Sequence, residues 1–309
     1  GKENLANMRT NGWELSVSWN DKINNVGGSP LMYSIGVGLA DSYSTITKFD
    51  NPEGALNNYY EGKRIGEIWG YVTDGFIQDE AEAQRMATIQ GDISKTWKVG
   101  DIRYKDLDGV EGITSAKTIY NTGDQKVIGN TTPRYSFNIN ASASWKGFDV
   151  RVFFEGIAKR DLWIDSPVFW GFPSNSNVWQ SAVNDYHVDN SWSENNTNAY
   201  YPLPSYSGRS KQTQTKYLQN GAYIRLKDLT ISYTIPKAWI STVGIEQLKV
   251  FASGQNLWVG TKLFKYLDPD IVSTRQSNSK DNKLVGNLTS DGKAYPFSRT
   301  FSFGINLTF

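Results

Sequence analysis

The segment Asp106-Leu107-Asp108-Gly109-Val110-Glu111-Gly112-Ile113 sets carboxylates at alternate positions around a glycine turn. Such an arrangement places hard oxygen ligands on one side of a tight bend, which is the chemistry of calcium binding. The spacing departs from a regular calcium loop: Val110 stands where a third ligand is due, and Glu111 comes one residue late. The calcium reading takes Asp106, Asp108, Glu111 and Asp124 as ligands; the other reading is a solvated turn.

A second group of residues could bind rather than react. The stretch 157–221 carries Trp163, Phe169, Trp170, Phe172, Trp179, Tyr186, Trp192, Tyr200, Tyr201 and Tyr206 among Asn and Ser residues. Rings beside amides and hydroxyls suit an oligosaccharide or a peptide. Trp163, Trp170, Trp179, Trp192, Tyr200 and Tyr201 are therefore candidate contacts for substrate or partner. A long ordered loop also needs a core of its own, and packing is the commoner role for any one of these rings.

Catalysis finds little support. His187 is the only histidine and there are no cysteines, so the common zinc sets cannot be assembled. Gly36-Val37-Gly38 lies inside a strand pattern and lacks the context of a phosphate loop. No Ser-His-Asp or paired-carboxylate arrangement stands out, so the expectation is a protein that is not an enzyme and needs no cofactor beyond a possible Ca2+. With 32 basic and 31 acidic residues the formal net charge is +1, which provides no overall attraction for nucleic acid. The absence of cysteine fits an envelope protein.

The elements that must position these residues read as strands. The last nine residues, Phe301 to Phe309, alternate apolar and polar without a miss and end on an aromatic ring. Period-2 alternation puts Phe301, Phe303, Ile305, Leu307 and Phe309 on one face. The same pattern recurs at Asn11–Asn20, Leu31–Tyr43, Arg134–Lys146, Phe148–Gly156, Ala222–Ile235 and Leu248–Val259, with the last strand at Tyr295–Phe309. In Ala222–Ile235 the early Ile224 and Leu226 fall out of phase with Leu229, Ile231 and Tyr233, which predicts a bulge near Lys227–Asp228 or burial of those two against lumen contents. A helical turn or two is expected at Asp79–Ile89.

Short links at 21–30, 146–148 and 236–247 alternate with long ones at 44–133, 157–221 and 260–294. Outer-membrane barrels have short periplasmic turns and long extracellular loops, so this order predicts an all-β transmembrane antiparallel barrel. Such a barrel hides its membrane band by alternation, so a mean hydropathy of −0.50 is no obstacle. The 11 Trp, 17 Tyr and 14 Phe suit interfacial girdles as well as ligand surfaces. Seven strands are an odd count for a bacterial single-chain barrel, and Gly1 opens no secretory leader, so the chain is expected to be part of a larger barrel. The alternative is a soluble, aromatic-rich β-sandwich that binds carbohydrate.

In several stretches the chain resembles the SusC/RagA-like TonB-dependent transporters. The likeness is carried by Ile65-Gly66-Glu67-Ile68-Trp69-Gly70-Tyr71-Val72-Thr73-Asp74-Gly75-Phe76, by Gly100-Asp101-Ile102-Arg103-Tyr104 with the acidic loop after it, and by Val127-Ile128-Gly129-Asn130 before Pro133-Arg134-Tyr135. Trp145-Lys146-Gly147-Phe148-Asp149, Tyr223 to Tyr233 and Val250 to Leu257 continue it. The resemblance implies that residues 1–309 are the C-terminal part of a plugged barrel of about 22 strands. It also implies extracellular loops at 44–133, 157–221 and 260–294, with the plug and the TonB-contacting segment lying outside this chain. By the same resemblance the whole imports a nutrient, oligosaccharide first and peptide next, across the outer membrane, in contact with a SusD-like surface lipoprotein and outer-membrane lipid.

Overall fold

The computed structural model describes residues 6–174, 179, 181–240, 244–272 and 296–309. β1 (Ala6–Val26) and β2 (Ser29–Phe49) open the chain. A long connection follows with β3 (Glu67–Tyr71), β4 (Thr73–Phe76), α1 (Glu80–Ile89), β5 (Ile102–Tyr104) and β6 (Gln125–Asn130). β7 (Arg134–Trp145) and β8 (Phe148–Lys159) form the next hairpin. The second long connection holds β9 (Asp161–Leu162), α2 (Pro167–Trp170), α3 (Asp185–Asn190), a 3₁₀ turn at Arg209–Lys211 and β10 (Gln219–Asn220). β11 (Tyr223–Thr234), α4 (Lys237–Ile240), β12 (Gln247–Thr261) and β13 (Thr300–Thr308) complete the chain.

The seven long strands form one antiparallel sheet in the order β1-β2-β7-β8-β11-β12-β13, so each pairs with its neighbour in the strand succession. The register aligns the alternating patterns into rows. Trp19, Ile35, Ala141, Val152, Leu229, Gly254 and Phe301 lie abreast, and one step along so do Asp21, Tyr33, Ala143, Val150, Ile231, Ala252 and Phe303. The intervening rows are polar: Asn20, Ser34, Ser142, Arg151, Thr230, Ser253 and Ser302 face the other way. Trp19 is 62% and Phe303 81% exposed on the apolar face. A sandwich would bury these rings against a second sheet, whereas the other sheets among the described residues have two strands each and lie in the connections. The sandwich alternative is thereby set aside. From Trp13 to Ile23 the apolar face of β1 runs eleven residues, or ten steps along the strand. At about 3.4 Å per residue and a tilt near 40° this rises roughly 26 Å, the height of an outer-membrane apolar band.

The bulge expected in β11 is present. The register slips between Leu226 and Asp228 against both neighbours, so that Leu226 pairs with Phe154 and Leu229 with Val152. One extra residue restores the phase and brings Ile224 and Leu226 to the same face as Leu229, Ile231 and Tyr233. β12 answers with its own irregularity at Asn256, whose φ is 53°.

Three boundaries differ from the sequence expectation. The 21–30 link contracts to Gly27-Gly28, both at positive φ, with the Gly28 amide donating to Asn25 Oδ1 at 2.9 Å. Two left-handed residues match the twist of the flanking strands, so pairing extends to Val26. β2 runs on to Phe49, past the expected start of the first long loop at 44. The last strand begins at Thr300, and Tyr295 lies outside the described residues. The helix expected at Asp79–Ile89 is α1, with the Asp79 side chain accepting the Glu82 amide at its N-terminus.

Candidate functional site: loop cap and polar wall

The main hydrophobic core lies entirely outside the seven-stranded sheet. Its members, among them Ile77, Ile102, Tyr104, Leu162, Phe169 and Tyr217, come from the two long connections and from Leu263 to Val272. A two-faced sheet has no inside of its own to fill, so the loops bury their apolar residues against each other. Buried polar groups lock them. Asp101 accepts Arg209 Nε at 2.5 Å and Ser210 Oγ at 2.9 Å, joining the first connection to the second. Gln90 donates to the Ile102 carbonyl and accepts the Tyr104 amide, while the Tyr104 hydroxyl donates to the Arg209 carbonyl. Lys211 Nζ donates to the carbonyls of Phe172, Pro173 and Ser205. Burial pushes this amine down to about 8, and the charge of the nearby Asp165 carboxylate opposes that shift.

The aromatic candidates divide. Trp163, Trp170, Trp192 and Tyr201 are between 2% and 8% exposed. Phe169 packs edge-on against Trp170, Tyr201 and Phe264, and Tyr201 stacks on Tyr217 at 6.1 Å. These four rings pack into the core of the loop cap and present little surface. Tyr200 is half-buried, its hydroxyl accepting from Gln219 Nε2. Trp179 stands 90% exposed. His187 is buried: Nε2 faces the Phe169 carbonyl at 3.1 Å and Nδ1 accepts the Asn184 amide, so burial lowers its pKa and the ring is neutral.

Of the proposed calcium ligands, Asp106, Asp108 and Asp124 bring carboxylate oxygens within 4.8 Å of one another, and Glu111 stands outside this group. Asp124 is fully buried, accepting the Leu107 amide on one oxygen and the Thr114 amide on the other. Asp106 and Asp108 accept the amides of Gly109 and Val110. The donor set of three carboxylates in a tight turn fits a hard divalent cation.

The polar face of the sheet carries a charged network that the sequence reading passed over. Arg225 is buried against Asp268, with Asp270 3.6 Å from its Nε. Tyr223 donates to Asp270, and Lys227 spans Glu155 at 2.8 Å and Asp270. Lys249 pairs with Asp149 at 2.8 Å. The network ties the 262–272 segment to β8 and β11. A groove of about 410 Å³ beside it is lined by Glu14, Asn138, Glu155, Tyr223 and Asp270. Its sequence signal was available: Glu155 and Arg225 occupy a polar row of apolar-alternating strands, and Lys227 stands at the break in alternation.

The two faces, the strand order and the loop cap are those of a membrane β-barrel wall. No protein-family model matches the chain. It is 30% identical over 249 residues to TonB-dependent receptor P3 of Formosa agariphila, an alignment covering 81% of this chain and 22% of that protein. TonB-dependent receptor P26 of the same organism is 26% identical over 222 residues, covering 68% and 20%. The chain thus spans about a fifth of the length of these relatives. Among solved structures, the RagAB peptide importer superposes with a TM-score of 0.65 in its open-open state and 0.67 in its closed-closed state. Identity is 18% and 19%, covering 98–99% of this chain and 29–30% of that one. The chain is thus similar to part of these TonB-dependent receptors. Its fold is that of the matching part of the RagAB importer structures.

Proposed function

We propose that this chain forms part of the wall and the extracellular loop cap of a TonB-dependent importer that moves a nutrient across the outer membrane. The observation that carries this reading is the seven-stranded sheet, whose apolar rows form a band of membrane height while its polar rows face a groove walled by charge. The plug and the TonB contact belong to the rest of the transporter, and a SusD-like surface lipoprotein meets the loops at 44–133, 157–221 and 260–294. The cargo is a short polar oligomer, oligosaccharide first and peptide second. The burial of Trp163, Trp170, Trp192 and Tyr201 moves its contacts from the aromatic core to Trp179, Tyr200 and the Glu14–Asn138–Asp270 groove.

The test is energised uptake. Cells producing the complete receptor are given labelled oligosaccharide or peptide pools, with and without a protonophore. Protonophore-sensitive accumulation that disappears with the receptor supports import, and the pool that accumulates identifies the cargo class. Equal accumulation of both pools with and without the receptor would overturn it.

A further inference from the structure

At the upper rim of the apolar face, cations gather where a membrane headgroup would lie. β1 and β2 pair in unbroken register from Met8–Ile46 to Ile23–Leu31, so Tyr43 projects from the same face as Leu39, Val37 and Ile35. It sits one row beyond the Trp13–Asp41 pair, where the apolar band ends. Arg64 and Arg134 both lie over its ring, their guanidinium carbons 4.7 and 5.2 Å from the centroid. Strict alternation would send Arg134 to the polar face, but Tyr135 has a φ of 54° and breaks the alternation where β7 begins. Arg134 is thereby free to neutralise Asp41, an acid at the edge of the lipid face, through two short hydrogen bonds.

Arg64 and Lys159 have no such partner: neither has a carboxylate within 4 Å among the described residues. Both line a cleft of about 330 Å³ with Tyr43, Arg134, Val127 and Asn130. The two acids in the cleft are engaged: Glu67 accepts from the Tyr60 hydroxyl and the Trp69 indole, and Asp161 from the Asn130 amide. Val127 and Tyr135 beside them are exposed. Unpaired cations beside exposed apolar groups at headgroup depth match an amphiphile with an anionic head.

We propose that this cleft binds the phosphate of an outer-leaflet lipid, with Arg64 and Lys159 as its donors and the Arg134–Tyr43 stack as its floor. The inference rests on the membrane reading above. A lipid held here would fix the height at which the loop cap leaves the bilayer.

The test uses the complete receptor in phosphatidylcholine nanodiscs doped with bisphosphorylated lipid A, with retained lipid counted by native mass spectrometry. R64Q/K159Q should lower lipid A retention roughly tenfold or more, since each surface cation contributes about 1 kcal/mol toward an anionic leaflet. K146Q, at the opposite end of the sheet, should leave retention unchanged. Equal retention by wild type and the double variant overturns the site, and so does full competition by inorganic pyrophosphate, which would make it a site for free anions. Outer-membrane insertion of the wild type is scored separately by heat-modifiable migration. Failure there sinks the membrane reading along with this one, while insertion without lipid A retention sinks only the lipid site.

Discussion

At the scale of single residues, placement by backbone amides separates ligands from bystanders. Asp124 is held by two amides from opposite sides of its loop, so its carboxylate is fixed, and Asp106 and Asp108 are drawn toward it by their own turns. The calcium reading therefore predicts binding in the range of extracellular modules, roughly 0.1–1 mM, lost in Asp108→Ala and Asp124→Asn and kept in Glu111→Ala. Calorimetry on the complete receptor reads this directly, and loss in Glu111→Ala would restore the ligand set expected from sequence. His187 makes a pH prediction. Burial lowers its folded pKa below the ordinary 6.5, so its contribution to stability is complete above pH 6.5 and is lost as pH falls through the lower folded value. Protection of the α3 amides, corrected for the intrinsic pH dependence of exchange, should fall as pH drops from 6.5 toward that lower value, and His187→Gln should flatten the dependence. The acidic loop was legible because its ligands are near in sequence. The departure of Glu111 was not, because one residue of turn geometry decides it.

Among the elements, the alternation of apolar and polar residues is the governing signal, and the bulge in β11 shows its reach. Ile224 and Leu226 are out of phase in the sequence, and one unpaired residue at Lys227 puts them back. Deleting Lys227 should remove the bulge yet keep Leu226 and Leu229 on the lipid face and Arg225 on the side of Asp268, so barrel assembly, read by heat-modifiable migration, should survive; loss of assembly would mean that the bulge itself is required. Apolar-face substitutions test the same assignment. Val152→Arg or Ile305→Arg should each cost about 2–4 kcal/mol of stability near mid-membrane, and Ser142→Arg much less. Equal costs in denaturant titrations would overturn the face assignment. The strands and their order were readable from period and turn residues. The contraction of the first turn to Gly27-Gly28 was not, since Asp21, Asn24 and Asn25 are turn formers by type, yet Asp21 to Ile23 pair with Tyr33 to Leu31 and the ladder continues to Val26.

For the whole molecule, wall and cap are held by different forces. The sheet is held by its ladders and by what surrounds it, whereas the cap has a packed core of its own centred on Phe169. Phe169→Ala should cost the cap about 3–5 kcal/mol and expose the 157–221 loop to proteases while the barrel stays assembled. Simultaneous loss of both would mean one cooperative unit. Purification of the tagged receptor from native membranes in mild detergent should recover a surface lipoprotein with it, as the partner reading requires.

Sequence by itself determined what is periodic and local: seven alternating strands, their sorting into short and long links, α1, and the acidic turn. Those features depend on residues within a few positions of one another, and their physics is written in residue order. Tertiary structure alone decided that Trp163, Trp170, Trp192 and Tyr201 are core, that Arg225 meets Asp268 across the polar wall, and that Arg64 and Arg134 share the ring of Tyr43. An aromatic side chain in a long loop has the same composition whether it packs or binds, and only the chain segments that arrive from elsewhere determine which face remains open.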